Sequence, residues 1–132
     1  DITFVATANA VLSCDATPIL ADVGYDDLNI SLKSIEENIT KKTKAIIPVH
    51  FAGKSCNMRK IMAVAKKNNL KIIEDCAHSL GTYFERKHVG TFGDIAAFST
   101  MYRKNLAANS SGGLPSGALS DQRKRHAPLS EW

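Results

Sequence analysis

The strongest constraint on this chain is an alternation of short apolar runs with one strongly amphipathic stretch between residues 45 and 75. Ala45–Val49 is a continuous apolar run, the pattern of a strand buried on both faces of a parallel sheet. Asn57–Asn69 has helical periodicity. Asn57 sits at the N-cap, Met58, Ile61, Met62 and Ala65 form one apolar stripe, and Arg59, Lys60, Lys66 and Lys67 fall on the polar side. Lys71–Asp75 is a second apolar run and ends abruptly in two carboxylates. Strands alternating with helices in this way predict an α/β chain with a mostly parallel sheet.

The rest of the chain extends the pattern. Ile2–Ala6 reads as a β-prone run, Thr7–Ser13 as a helical turn or two, and Thr17–Val23 as a strand with Pro18 near its start. Ser31–Ile39 is a helix candidate, with Ser31 as N-cap and Leu32, Ile35 and Ile39 on its apolar face. Thr82–Phe84 and Lys87–Val89 can pair through a turn at Glu85–Arg86, and Ile95–Ser99 is a further short strand. After Ser111 comes a breaker-rich stretch, Gly112 to Gly117, and then a polar, basic segment from Ser120 to Trp132 expected to be weakly ordered.

Composition excludes several classes. The formal charge of +4 in 132 residues is too small to argue for nucleic-acid or membrane binding, and the basic cluster at 123–126 has no interleaved aromatics. No apolar run approaches the roughly 18 residues of a spanning helix, and residues 1–12 do not have the basic start of a signal peptide. Three cysteines without C-x-x-C spacing argue against a zinc site or disulfide framework and fit a reducing cytoplasm. The chain begins with Asp1 rather than Met, so the expectation is a processed chain or a piece of a longer one.

Several residues stand where chemistry is done. Asp75 ends an apolar strand, and ligands bind at the carboxyl edge of open α/β sheets. A carboxylate there can hold a cationic ring nitrogen; equally, Glu74 and Asp75 can simply end a strand. Lys104 follows the strand ending at Ser99 and can act as an amine nucleophile if desolvated, although a lone lysine is more often an exposed loop residue. Ser99 can accept a phosphate or cap a turn. His50 closes Ala45–Val49 at the same kind of edge, where a satisfied loop histidine is the commoner outcome. Zinc-protease, Walker A and G-x-G-x-x-G signatures are missing.

Order and spacing say more than any single residue. The runs Thr3-Phe-Val-Ala-Thr-Ala-Asn-Ala-Val11, Ala16-Thr-Pro18, Asp22-Val23 and Thr43-Lys-Ala-Ile-Ile-Pro-Val-His50 resemble the nucleotide-sugar aminotransferases of the DegT/StrS group, which are fold type I pyridoxal-phosphate enzymes. So do Ile73-Glu-Asp-Cys-Ala-His78 with Leu80-Gly81, Val89-Gly-Thr-Phe-Gly-Asp94, Phe98-Ser99 and Lys104-Asn-Leu106. The resemblance covers residues 1–114. It implies part of a large cofactor-binding domain, a three-layer α/β sandwich, followed by a non-matching segment 115–132 that is disordered or out of frame. It implies pyridoxal 5'-phosphate as cofactor, Lys104 as the lysine that bonds to it covalently and shuttles the proton, and Asp75 as the partner of its ring nitrogen. His78 then contacts the ring oxygen, Phe4 stacks on the ring and Ser99 binds the phosphate. The implied substrates are an amino donor, glutamate, and a keto sugar linked to a nucleotide. The implied setting is a cytoplasmic homodimer in surface polysaccharide or related glycoside biosynthesis, with no metal, nucleic acid or membrane partner.

The chain departs from that pattern at Thr100 and Met101, where the family has an aromatic and then His or Tyr, and at Ser111, where it has an acid. Two other readings stay open: another fold type I enzyme, which shares the Asp75 and Lys104 logic, and a non-catalytic remnant. On the leading reading the 132-residue chain alone is expected to be inactive.

Overall fold

The computed structural model describes residues 2–101, 104 and 113–117. Residues 118–132, with the basic cluster, and Asn109 to Ser111 lie outside the described residues.

The first described element is helix α1, Val5–Leu12. The β-prone reading of Ile2–Ala6 is therefore wrong: Val5 and Ala6 are helical, and Ile2–Phe4 pair with no strand among the described residues. The alternating small residues Ala6, Ala8 and Ala10 favour helix, and the β-branched neighbours have no strand partner to reward the extended form. Thr17–Val23 is not a strand either. Val23 alone makes an antiparallel bridge, to Ile30, while Ile19 and Leu20 are exposed.

Helix α2, Leu32–Asn38, starts where expected: the Ser31 side chain accepts from the Ser34 N–H. Strand β1 is shorter than its apolar run, Ala45–Ile46, with Val49 bridging on to Asp75. Pro48 has no N–H to give the ladder, but its carbonyl accepts from Asp75 N–H at 2.9 Å. Ile46 and Pro48 are buried while their alternating neighbours are only partly covered, so the run is buried on one face, not both.

A 3-10 turn at Phe51–Gly53 leads to helix α3, Met58–Lys67, capped by the Asn57 side chain accepting from Lys60 N–H. Met58, Ile61 and Ala65 are buried, and Met62 is not, at 39% exposed. The core they build joins Ile35 of α2, Ile46 of β1, Cys56 and Ile72. Strand β2, Lys71–Asp75, runs parallel to β1 and to β5, Ile95–Ser99. Between them Tyr83–Phe84 (β3) and Lys87–His88 (β4) form the expected hairpin.

Strand β6, Gly113–Gly117, pairs antiparallel with β5 from Ile95↔Gly117 to Ser99↔Gly113, completing the order β1-β2-β5-β6. This corrects the breaker reading of that stretch. Pro115 falls on the outermost described strand, where a missing N–H is tolerated. The mostly parallel sheet has α3 against one face, and α1 reaches the other through Thr7. These are the layers of an α/β sandwich.

Candidate functional site

Strand parity sorts the two carboxylates that end β2. Alternate residues point to opposite faces, so Glu74 shares the side of Ile72, and Asp75 shares the side of Ile73. Ile72 and Glu74 are buried, whereas Ile73 and Asp75 are half-buried.

On the inner side, Glu74 is fully enclosed and saturated with donors. One oxygen accepts from Phe92 N–H and Gly93 N–H, each at 2.7 Å. The other accepts from Gly90 N–H at 2.7 Å and faces His50 Nε2 at 3.1 Å. Burial alone raises the Glu74 pKa. The His50 bond and the backbone donors of Gly93, Gly90 and Phe92 outweigh it and hold the carboxyl below its ordinary value. The loop that embraces Glu74 needs its glycines. Gly90 has φ +84°, and a Cβ on Gly93 would meet the Ile72 carbonyl oxygen at 2.7 Å.

His50 is also fully buried. Its Nδ1 accepts from Cys56 N–H at 3.1 Å, which assigns the ring proton to Nε2, on the Glu74 side. The histidine that the sequence put at a ligand edge is thus a structural tie. His50, Glu74 and Cys76 bring possible metal donors within 4.8 Å of one another. The lone pairs of His50 and Glu74 are already engaged, and burial pushes the thiols of Cys76 and Cys56 up to about 12. The trio is built as a hydrogen-bonded core, not as an open ion site.

On the outer side, Asp75 is held in one orientation. Oδ2 accepts from the Thr7 hydroxyl at 2.7 Å, and Oδ1 from Ala77 N–H at 3.0 Å. Its backbone is pinned as well, since His50 N–H donates to its carbonyl at 3.1 Å. Ser99 ends the neighbouring strand, two residues beyond the Ala97 that pairs with Asp75. Its hydroxyl takes a long 3.4 Å contact from Met101 N–H. Lys104 follows in a turn, its amide donating to Met101 O at 2.8 Å, and is half-buried. Thr100, one of the unusual residues, is buried.

His78 is half-buried three residues past Asp75, with Phe51 edge-on at 5.8 Å. Phe4 occupies the N-cap of α1 and is 69% exposed. Asp75 and Ser99 thus share the carboxyl edge of adjacent parallel strands. His78 and Lys104 lie just past those strand ends, and Phe4 lies one helical turn before the threonine that touches Asp75.

Sequence reasoning missed Thr7 and underrated Glu74. Parity could have separated Glu74 from Asp75, because Ile72 and Glu74 are two apart. Nothing local could have found the Thr7–Asp75 bond, which joins residues 68 apart.

The DegT/DnrJ/EryC1/StrS aminotransferase family pattern matches residues 1–118. A relative from Acidithiobacillus ferrooxidans, named UDP-N-acetyl-3-dehydro-alpha-D-glucosamine 3-aminotransferase, is 47% identical over 85% of this chain and 30% of its own length. The spore coat polysaccharide biosynthesis protein SpsC of Bacillus subtilis is 42% identical over 86% of this chain and 29% of its own. Among solved structures, that of NtdA from Bacillus subtilis with bound cofactor PMP superposes with a TM-score of 0.81. It is 34% identical and covers 88% of this chain and 26% of that one. The chain therefore spans under a third of the length of these relatives. With the family pattern running through all the described residues, this chain belongs to the DegT/DnrJ/EryC1/StrS aminotransferase family.

Proposed function

We propose that this chain carries the cofactor-contacting edge of an aminotransferase that uses pyridoxal 5'-phosphate to place an amino group on a keto group of a nucleotide-linked sugar. The observation that carries the proposal is the gathering of an oriented carboxylate, a hydroxyl and a lysine at or just past one carboxyl edge, on Asp75, Ser99 and Lys104. The donor chemistry fits the cofactor. A carboxylate suits a pyridinium nitrogen, a hydroxyl suits a phosphate, an amine suits an aldehyde, and the exposed ring of Phe4 offers an aromatic face. Bound there, the cofactor supplies an electron sink for the carbon that loses and gains the proton.

The chain's own residues do the rest. Asp75 holds a proton on the ring nitrogen, with its two oxygens already aligned by Thr7 and Ala77. Lys104 Nζ would hold the cofactor's aldehyde end and would be the amine that carries a proton there. His78 contacts the ring oxygen, Phe4 stacks on the ring and Ser99 takes the phosphate. We assign residues 1–114 to the cofactor-binding part, glutamate as donor, and surface polysaccharide assembly as the pathway. The names of the two curated relatives support the sugar and the polysaccharide.

We also propose a cytoplasmic homodimer as the working form. The exposed apolar residues Phe4, Val5 and Leu12 on and beside α1 favour association. No helix among the described residues is long and apolar enough to cross a membrane.

The test is covalent mapping. The chain is incubated with pyridoxal phosphate, reduced with borohydride, digested and analysed by mass spectrometry. The label is expected on Lys104 and lost in Lys104→Ala. Equal labelling of all surface lysines overturns the assignment. Since the chain is under a third of its relatives' length, it is expected to aminate no sugar by itself, and glutamate-dependent turnover by it alone would refute that.

A further inference from the structure

We infer that Thr7 is a positioning residue that sets both the Asp75 carboxylate and the helix bearing Phe4 for the cofactor ring, an inference that rests on the function proposed above. A threonine hydroxyl has one proton to give, and here it goes to Asp75 Oδ2 at 2.7 Å. Thr7 Oγ1 in turn accepts from the Thr3 hydroxyl at 3.2 Å, so the proton's direction is set by a two-step relay, Thr3 to Thr7 to Asp75. With Ala77 N–H on Oδ1, each carboxylate oxygen has one fixed donor, and the carboxylate plane cannot turn without breaking one of them.

Every other named hold on Asp75 is made by backbone groups of the sheet and the adjoining turn. Thr7 comes from a different element, one that buries no residue of its own. A charge-assisted hydrogen bond is therefore a strong tie of α1 to the sheet where apolar packing offers little. Phe4 lies one turn earlier, and its carbonyl accepts from Thr7 N–H at 3.1 Å. Locking Thr7 onto Asp75 thus fixes the aromatic residue relative to the carboxylate, the two groups meant to meet the ring face and the ring nitrogen.

The bland alternative is a threonine that matters only as a helix residue. Substitution separates the two, because Thr7→Val keeps the shape and removes the proton donor, whereas Thr7→Ser keeps the donor and removes a methyl. Neither change reaches the apolar core.

The experiment titrates pyridoxal phosphate into the full 132-residue chain and follows absorbance, with Lys104→Ala as the blank and thermal melts as the folding control. Borohydride-fixed label on Lys104 is counted in parallel. The expected result is about a tenfold weaker Kd in Thr7→Val and in Thr7→Ala, the size of one lost charge-assisted bond, with Thr7→Ser within about twofold of wild type and a cooperative folded-state melt retained by all three. Wild-type affinity in Thr7→Val and Thr7→Ala overturns the inference and leaves the proposed function standing. A Thr7→Ser protein as weak as Thr7→Val also overturns it, since the methyl rather than the hydroxyl would then matter. No Lys104-dependent binding in wild type overturns the proposed function and this inference with it.

Discussion

Helices α1 and α3 are held in place by opposite means. Helix α3 buries Met58, Ile61 and Ala65, is capped by Asn57 and ends in Lys66 and Lys67, where cations favour the helix terminus. Each full burial of an Ile or Met contributes roughly 1.5–3 kcal/mol. Helix α1 buries nothing, has no charge at either end, and carries at its N-cap a phenylalanine that makes no capping bond. It is tied to the sheet by the Thr7 hydroxyl on Asp75. One helix is built for the stability of the chain. The other uses its cap position for an exposed aromatic ring and its best polar contact for a carboxylate, choices that, on the function proposed above, favour a ligand over the fold.

The sharpest way to break the comparison is on the buried side of β2. Glu74→Ala would strip four donors of their acceptor and leave them buried, at a cost of about 3–5 kcal/mol in a urea melt. The effect depends on pH with a defined sign. The folded Glu74 carboxyl titrates below its ordinary 4.5, so its contribution is complete above that value and fades as pH falls through the lower folded value. The gap between wild type and Glu74→Gln in melts should therefore be widest near neutral pH and narrow toward pH 3. A gap that widened in acid would contradict the assignment.

Truncation of the two helices comes next. Ile61→Ala in α3 should cost about 2–5 kcal/mol, since Ile61 is 1% exposed. Leu12→Ala in α1, at 56% exposed, should stay within about 0.5 kcal/mol. Comparable losses from the two would mean that α1 is packed after all.

The smallest expected effects concern the caps. Asn57→Ala should lower stability by about 1 kcal/mol. Phe4→Ser should raise it by a few tenths to about 1 kcal/mol by supplying the missing cap, while weakening Lys104-dependent cofactor binding. A destabilised Phe4→Ser protein would show that the phenylalanine is part of the fold rather than set aside for the ligand.

Local pattern was enough for the elements whose signals agree at every level. Helices α2 and α3 were legible from Ser31 and Asn57 plus their apolar spacing, and β2, β5 and the β3–β4 hairpin from short apolar runs and the turn at Glu85–Arg86. It failed where partners decide. Ile2–Ala6 had strand propensity with no strand beside it. Gly113–Gly117 had breaker composition, yet β5 offered it a ladder. Met62 sat on the apolar side by spacing, but the core was already closed by Ile61 and Ala65.

The same division runs through the candidate site. Residue order in the chain carried the family likeness and the parallel α/β frame, and it singled out Phe4, Asp75, His78, Ser99 and Lys104 as candidates, because spacing along strands and turns is a one-dimensional property. Folding alone revealed that Glu74 and Asp75, adjacent in sequence, do different work. It turns one inward to four donors and the other outward to Thr7. It also took His50 from a possible ligand position to a buried tie, 24 residues from its partner. Hydrogen bonds between distant residues depend on which face each strand presents and on what covers that face, and the packing of the whole sheet decides both.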